Sequence, residues 1–143
     1  MGEVMKESSQ IALSYVRYLA PKYQISKEFF ETHDIHIHIP EGAVPKDGPS
    51  AGITMALAVF SAVTQKKVTP EIAMTGELTL RGKILPIGGL KEKLRAAKEA
   101  GIFKVIVPKK NEKDILELEE EILEGMELIY VSEFKEVLKY TIV

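Results

Sequence analysis

Apolar residues recur at helical spacing near the start of the chain: Val4, Ile11, Val16 and Leu19, with Met5, Ala12 and Tyr15 beside them. That spacing predicts a helix with one buried face, closed by Pro21. The period then changes. From Asp34 to Ile39 it alternates strictly, with Ile35, Ile37 and Ile39 on one side and Asp34, His36 and His38 on the other. This predicts a half-buried strand ended by Pro40. After a turn-rich loop reaching Pro49, Ser50 to about Gln65 carries almost no charge and reads as a buried helix. Ile72 to Leu80 reads as one strand. Gly82, Pro86, Gly88 and Gly89 punctuate a turn region before a helix from Leu90 to Ala100, which Gly101 terminates. Lys104 to Val107 is a short apolar strand, and Asn111 caps a helix running to about Leu123. Leu128 to Val131 is a further strand, and Ser132 caps a last helix to Tyr140. Strands alternating with helices predict an α/β domain with at least part of its sheet parallel.

Size and composition narrow this picture without changing it. The 143 residues suffice for one domain with a real core. A 45% hydrophobic and 28% charged composition is that of a soluble globular protein. A net charge of −2 gives no electrostatic footprint for nucleic acid or an anionic membrane. No apolar run approaches the ~20 residues a membrane-spanning helix needs, and no signal peptide is visible. The absence of cysteine excludes disulfides, thiol catalysis and cysteine metal sites. The acidic run Glu117 to Glu124 keeps its apolar residues at helical spacing and reads as a solvated helix face. Met1-Gly2-Glu3 leads straight into helical sequence, as expected of a segment taken from a longer chain.

The candidate chemistry centres on Pro45-Lys46-Asp47-Gly48-Pro49-Ser50-Ala51-Gly52, where a serine sits on a Gly/Pro-rich turn before an apolar helix. Gly48 to Gly52 satisfies the G-x-S-x-G elbow pattern, whose triad runs Ser, then acid, then His. All three histidines (His33, His36 and His38) precede Ser50, so that triad cannot be completed. A His–Asp–Ser order within fifteen consecutive residues is nominally present, although His36 and His38 read more simply as polar-face strand residues. A two-histidine metal site lacks a third ligand cluster. Lysine is the remaining base. To act as one it must lose its proton, so a pKa of about 10.4 must fall by roughly three, which takes burial or like-charge repulsion. Lys93 lies among Leu90, Ala96, Ala97 and Ala100 on the small-apolar face of its helix, whereas Lys91 shares a stripe with Arg95 and Lys98. Lys93 is therefore the best base, its alternative being a snorkelling lysine at the rim of that face. With Ser50 opening a helix, free N–H groups and the positive dipole end form an oxyanion site, and Gly48 and Gly52 permit close backbone approach. Thr75 before Gly76 is either a hydroxyl that orients a lysine amine or an ordinary strand threonine. No Walker nucleotide motif occurs.

Three segments, Pro45 to Gly52, Thr75-Gly76-Glu77-Leu78-Thr79-Leu80-Arg81-Gly82 and Pro86-Ile87-Gly88-Gly89-Leu90-Lys91-Glu92-Lys93, closely resemble the proteolytic domain of the Lon family of ATP-dependent proteases. The similarity covers essentially residues 1–143, and the PKDGPSAG form resembles the soluble, non-membrane-anchored branch. The resemblance implies a fold of the ribosomal-protein-S5-domain-2-like group, an α/β (α+β) domain of short mixed sheets with packed helices. It implies Ser50 as nucleophile and Lys93 as base, with Thr75 helping to hold the lysine and Gly48, Ala51 and Gly52 supporting the serine turn. Asp47 is either a switch between closed and open sites or a plain turn residue. It further implies a serine endopeptidase acting on unfolded or regulatory proteins and peptides, a homo-hexamer, and a cytoplasmic location. An AAA+ ATPase module in cis would use ATP and magnesium, while this domain itself needs no cofactor or metal. That module and the family's N-terminal β segment are not seen in this sequence. The rivals are a non-proteolytic Lon-like scaffold or binding domain and a Ser–His hydrolase of small esters.

Overall fold

The computed structural model describes residues 2–40 and 48–143. Helix α1 (Glu3–Leu19) runs into a 3-10 turn at Ala20–Tyr23 that holds Pro21, and α2 (Lys27–Thr32) follows Ser26. Then come α3 (Gly52–Thr64), β1 (Ile72–Met74), β2 (Glu77–Leu78), β3 (Ile84–Leu85) and α4 (Leu90–Glu99). The chain ends with β4 (Lys104–Pro108), α5 (Glu112–Leu116), α6 (Glu120–Leu123), β5 (Glu127–Val131) and α7 (Phe134–Thr141).

The organising element is a parallel three-stranded sheet in the order β1-β4-β5, with Ile72 opposite Lys104 and Lys104 opposite Glu127. A strand turns alternate residues to opposite faces, and here both faces are covered. Ile106, Ile129, Val131 and Met74 face a large core built with α1, α3 and α7. Val105, Val107, Ala73 and Leu128 face a smaller core with α4, Ile115 of α5 and Ile122 of α6. Helix α3 is apolar almost all round and buries eight of its residues, among them Ile53, Leu57 and Phe60. The antiparallel β2–β3 hairpin is a separate two-stranded sheet.

Several sequence expectations needed tertiary correction. Residues 34–39 keep the expected alternation, Ile35, Ile37 and Ile39 packing on the large core while Asp34, His36 and His38 are exposed. They nevertheless form no strand, because no described segment pairs with them. The run 72–80 is two strands rather than one, and the chain breaks where Gly76 passes tightly over other elements. A Cβ there would lie 2.9 Å from Ile84 Cγ2. The helix expected over 111–123 is interrupted between α5 and α6. Glu117 with Glu121 and Glu120 with Glu124 would place like charges four residues apart in a continuous helix. The cap of α7 is Glu133, which forms a reciprocal capping box with Glu136, rather than Ser132.

Candidate active site

Ser50 stands in a turn just ahead of α3. Its carbonyl accepts the Gly76 amide at 2.9 Å and the Thr75 hydroxyl at 3.4 Å. These tertiary bonds take the carbonyl that a helix starting at Ser50 would use internally, so α3 begins at Gly52 with Ala51 as its N-cap. The turn is further pinned by Ile53 N–H donating to Gly76 C=O at 3.3 Å. Gly52 is required at this crossing, since a Cβ on it would meet the Leu78 backbone nitrogen at 2.9 Å. Gly48 serves differently from the expected close approach. Nothing lies near it, but its φ of +136° favours glycine. Among the described residues, the amides of Ser50 and Ala51 donate to no other group. Among the described residues they are unused donors at the mouth of an α-helix.

Lys93 comes from the other side of the sheet. Leu90, Leu94 and Ala97 form the buried stripe of α4, and Lys93 lies half-buried at its edge, with Ala96 and Ala100 exposed. Its neighbours Lys91 and Lys98 point elsewhere: Lys91 pairs with Glu119 at 3.2 Å, and Lys98 donates to the Glu121 carbonyl at 2.9 Å. The Lys93 amine makes neither an ion pair nor a hydrogen bond with any described residue. Burial lowers its pKa from the ordinary lysine value.

The two meet at the carboxyl end of the edge strand β1. Ser50, Ala51, Thr54, Thr75, Lys93 and Ala97 line one cleft of about 410 Å³, which continues over Ala73, Leu94 and Val105. No hydrogen bond joins Ser50 to Lys93. Thr75, 6% exposed, contributes its amide to the Ile106 carbonyl at 3.1 Å and its hydroxyl to Ser50 rather than to the lysine. No histidine lines the cleft: His33 stacks on Phe29 with ring centroids 4.0 Å apart, and His36 and His38 are exposed. Asp47 lies outside the described residues. Among those described, no cluster of three or more His, Asp or Glu side chains is placed to hold a metal ion. None of the described helices is long and apolar enough to cross a membrane. A residue that sequence reasoning used only as a cap is Asn111. It is buried, and its amide grips Ile87 in the turn before α4. An asparagine between an apolar strand and a helix is its one sequence signal.

A parallel sheet covered by helices thus brings a serine-bearing turn and a half-buried lysine to one cleft, the pair of side chains that a serine–lysine hydrolase requires. The sequence profile described as the Lon protease (S16) C-terminal proteolytic domain matches residues 1–143. The chain belongs to that family of serine peptidases. The Lon protease of Lachnoclostridium phytofermentans is 64% identical over 143 residues, 100% of this chain and 18% of that protein. The Lon protease of Clostridioides difficile is 58% identical over 139 residues, covering 97% of this chain and 18% of that protein. Lon protease 1 of Bacillus subtilis is 55% identical over 143 residues, again 100% of this chain and 18% of that protein. The chain thus spans under a fifth of the length of these relatives.

Proposed function

We propose that the chain is the serine endopeptidase unit of an ATP-dependent Lon-type protease, with Ser50 as nucleophile and Lys93 as general base. The observation that carries this reading is the shared cleft, in which a lysine amine without a partner among the described residues, its pKa lowered by burial, faces the serine turn. Neutral Lys93 Nζ takes the Ser50 proton as Oγ bonds to the peptide carbonyl carbon. The oxygen becomes an oxyanion beside the free amides of Ser50 and Ala51. Protonated Lys93 then gives its proton to the departing amine as the C–N bond breaks, leaving an ester on Ser50. Water, deprotonated by the same lysine, attacks that ester and releases the acid with Ser50 restored. Substrate binding closes the serine–lysine pair, which the long lysine stem permits. Thr75 supports the serine side of this arrangement by holding the Ser50 carbonyl.

The substrates are unfolded or regulatory polypeptides, delivered in the cytoplasm to a homo-hexamer by an AAA+ module in cis. ATP and magnesium belong to that module, and no residue of this chain is assigned to them. In the intact protein that carries this domain, Ser50→Ala and Lys93→Ala each lower peptide-bond cleavage by about 10³-fold or more while leaving ATP hydrolysis in place. Near-normal cleavage by either variant would remove the assignment.

A further inference from the structure

The Lys93 side of the cleft has a support that the reaction itself does not use. Asn111, 1% exposed, commits its whole carboxamide. Oδ1 accepts the Ile87 amide at 2.9 Å, and Nδ2 donates to the Ile87 carbonyl at 2.9 Å and to Asp114 Oδ2 at 2.8 Å. The side chain thus meets both polar groups of one backbone residue, as a neighbouring strand would, and the Asp114 carboxylate fixes which end of the amide is the donor.

The clasp matters because the next two residues are glycines. Gly88 and Gly89 separate Ile87 from Leu90, the first residue of α4. Gly88 has open space around its Cα, and Gly89 is left-handed at φ +70°. Two glycines cannot by themselves fix where a helix begins. The buried stripe Leu90, Leu94 and Ala97 holds α4 down on β4, but apolar packing is non-directional and tolerates sliding better than hydrogen bonds do. Lys93 lies one turn into that helix.

We propose that Asn111 is a positioning residue: its two-point clasp on Ile87 sets where α4 starts, and thereby holds the Lys93 amine in the cleft opposite Ser50. The role rests on the assignment of Lys93 as base, but its test does not. Removing the carboxamide leaves the Ile87 N–H and C=O unpartnered, so the Gly-Gly turn reorganises and Lys93 moves toward solvent.

The deciding measurement is trace acetylation of the chain across a pH series, with each lysine read by mass spectrometry. In Asn111→Ala, the midpoint for Lys93 moves upward toward the ordinary lysine range. Asp114 is exposed, so Asp114→Ala folds, and it produces a smaller shift of the same sign. In the intact protein, Asn111→Ala lowers kcat for peptide cleavage about tenfold with KM within about twofold. An unchanged Lys93 midpoint in folded Asn111→Ala overturns the proposal. If that variant does not fold, an unchanged midpoint in Asp114→Ala overturns it instead. Should Lys93 prove not to be the base, the midpoint still moves while kcat does not, which separates the two failures.

Discussion

The two walls of the cleft are built by different means. On the Ser50 wall the backbone does the positioning. Gly76 exchanges main-chain hydrogen bonds with Ser50 and Ile53, the Thr75 hydroxyl meets the Ser50 carbonyl, and Gly52 crosses Leu78 at a distance only glycine allows. On the Lys93 wall, side chains do it: an apolar stripe, the Asn111 clasp and two exposed lysine contacts to the acidic segment around α6. Hydrogen-bonded backbone fixes position to a fraction of an ångström, whereas a long side chain on a packed helix inherits every shift of that helix. Ser50 is thus held rigidly, and Lys93 is held adjustably.

The largest test of this contrast is Leu94→Ala, which empties a fully buried position under α4. It should destabilise the chain by about 2–5 kcal/mol in urea unfolding and lower cleavage beyond what the unfolded fraction explains. Next comes Gly52→Ala. Its methyl must displace Leu78 backbone, for about 1–3 kcal/mol. Because it moves the nucleophile rather than the base, cleavage should fall with its pH dependence unchanged. A wholly normal Gly52→Ala enzyme would show that the serine turn is not rigid.

A subtler effect arises from protonation. The folded pKa of Lys93 is lowered by burial, so the folded state releases the proton first as pH rises. At low pH the amine is charged in both states and the fold carries the full desolvation cost. Stability attributable to Lys93 therefore increases from the lowered pKa up to the ordinary value near ~10.4. Relative to Lys93→Met, the wild-type chain should gain stability between neutral and alkaline pH, as read by urea unfolding. Cleavage should rise over the lower part of that window, where the folded amine becomes neutral. A flat difference between the two proteins would mean the amine is effectively solvated. The smallest effect belongs to Lys91→Ala, which breaks only the exposed contact with Glu119. Its unfolding midpoint should stay within experimental scatter, and Lys93 titration should not move.

The contrast also explains what the sequence made legible. Ser50 stands in a motif because a backbone-built turn constrains residue types directly: glycines at Gly48 and Gly52, proline at Pro49. Lys93 emerged from helical phase, since α4 has an apolar stripe with a lysine beside it. Strand Lys104–Pro108 and helices α1 and α4 were readable from local periodicity. What failed depended on distant partners. The alternation over 34–39 specified which side packs inward but supplied no ladder. The run 72–80 looked continuous because the constraint on Gly76 comes from Ile53 and Ile84, far away in sequence. Asn111 does stand at the N-cap of α5, but nothing local reveals that Ile87 claims its side chain.

The parallel pairing of β1 with β4 has a consequence for the order of events during synthesis. Every connection between parallel neighbours is long, so this pairing is among the slower steps in folding. Helix α4 completes its packing only once β4 has emerged and docked. A nascent chain therefore presents Ser50 before Lys93 is set in the cleft. If Ser50 and Lys93 act together as proposed, a chain stalled ahead of β4 lacks the assembled pair.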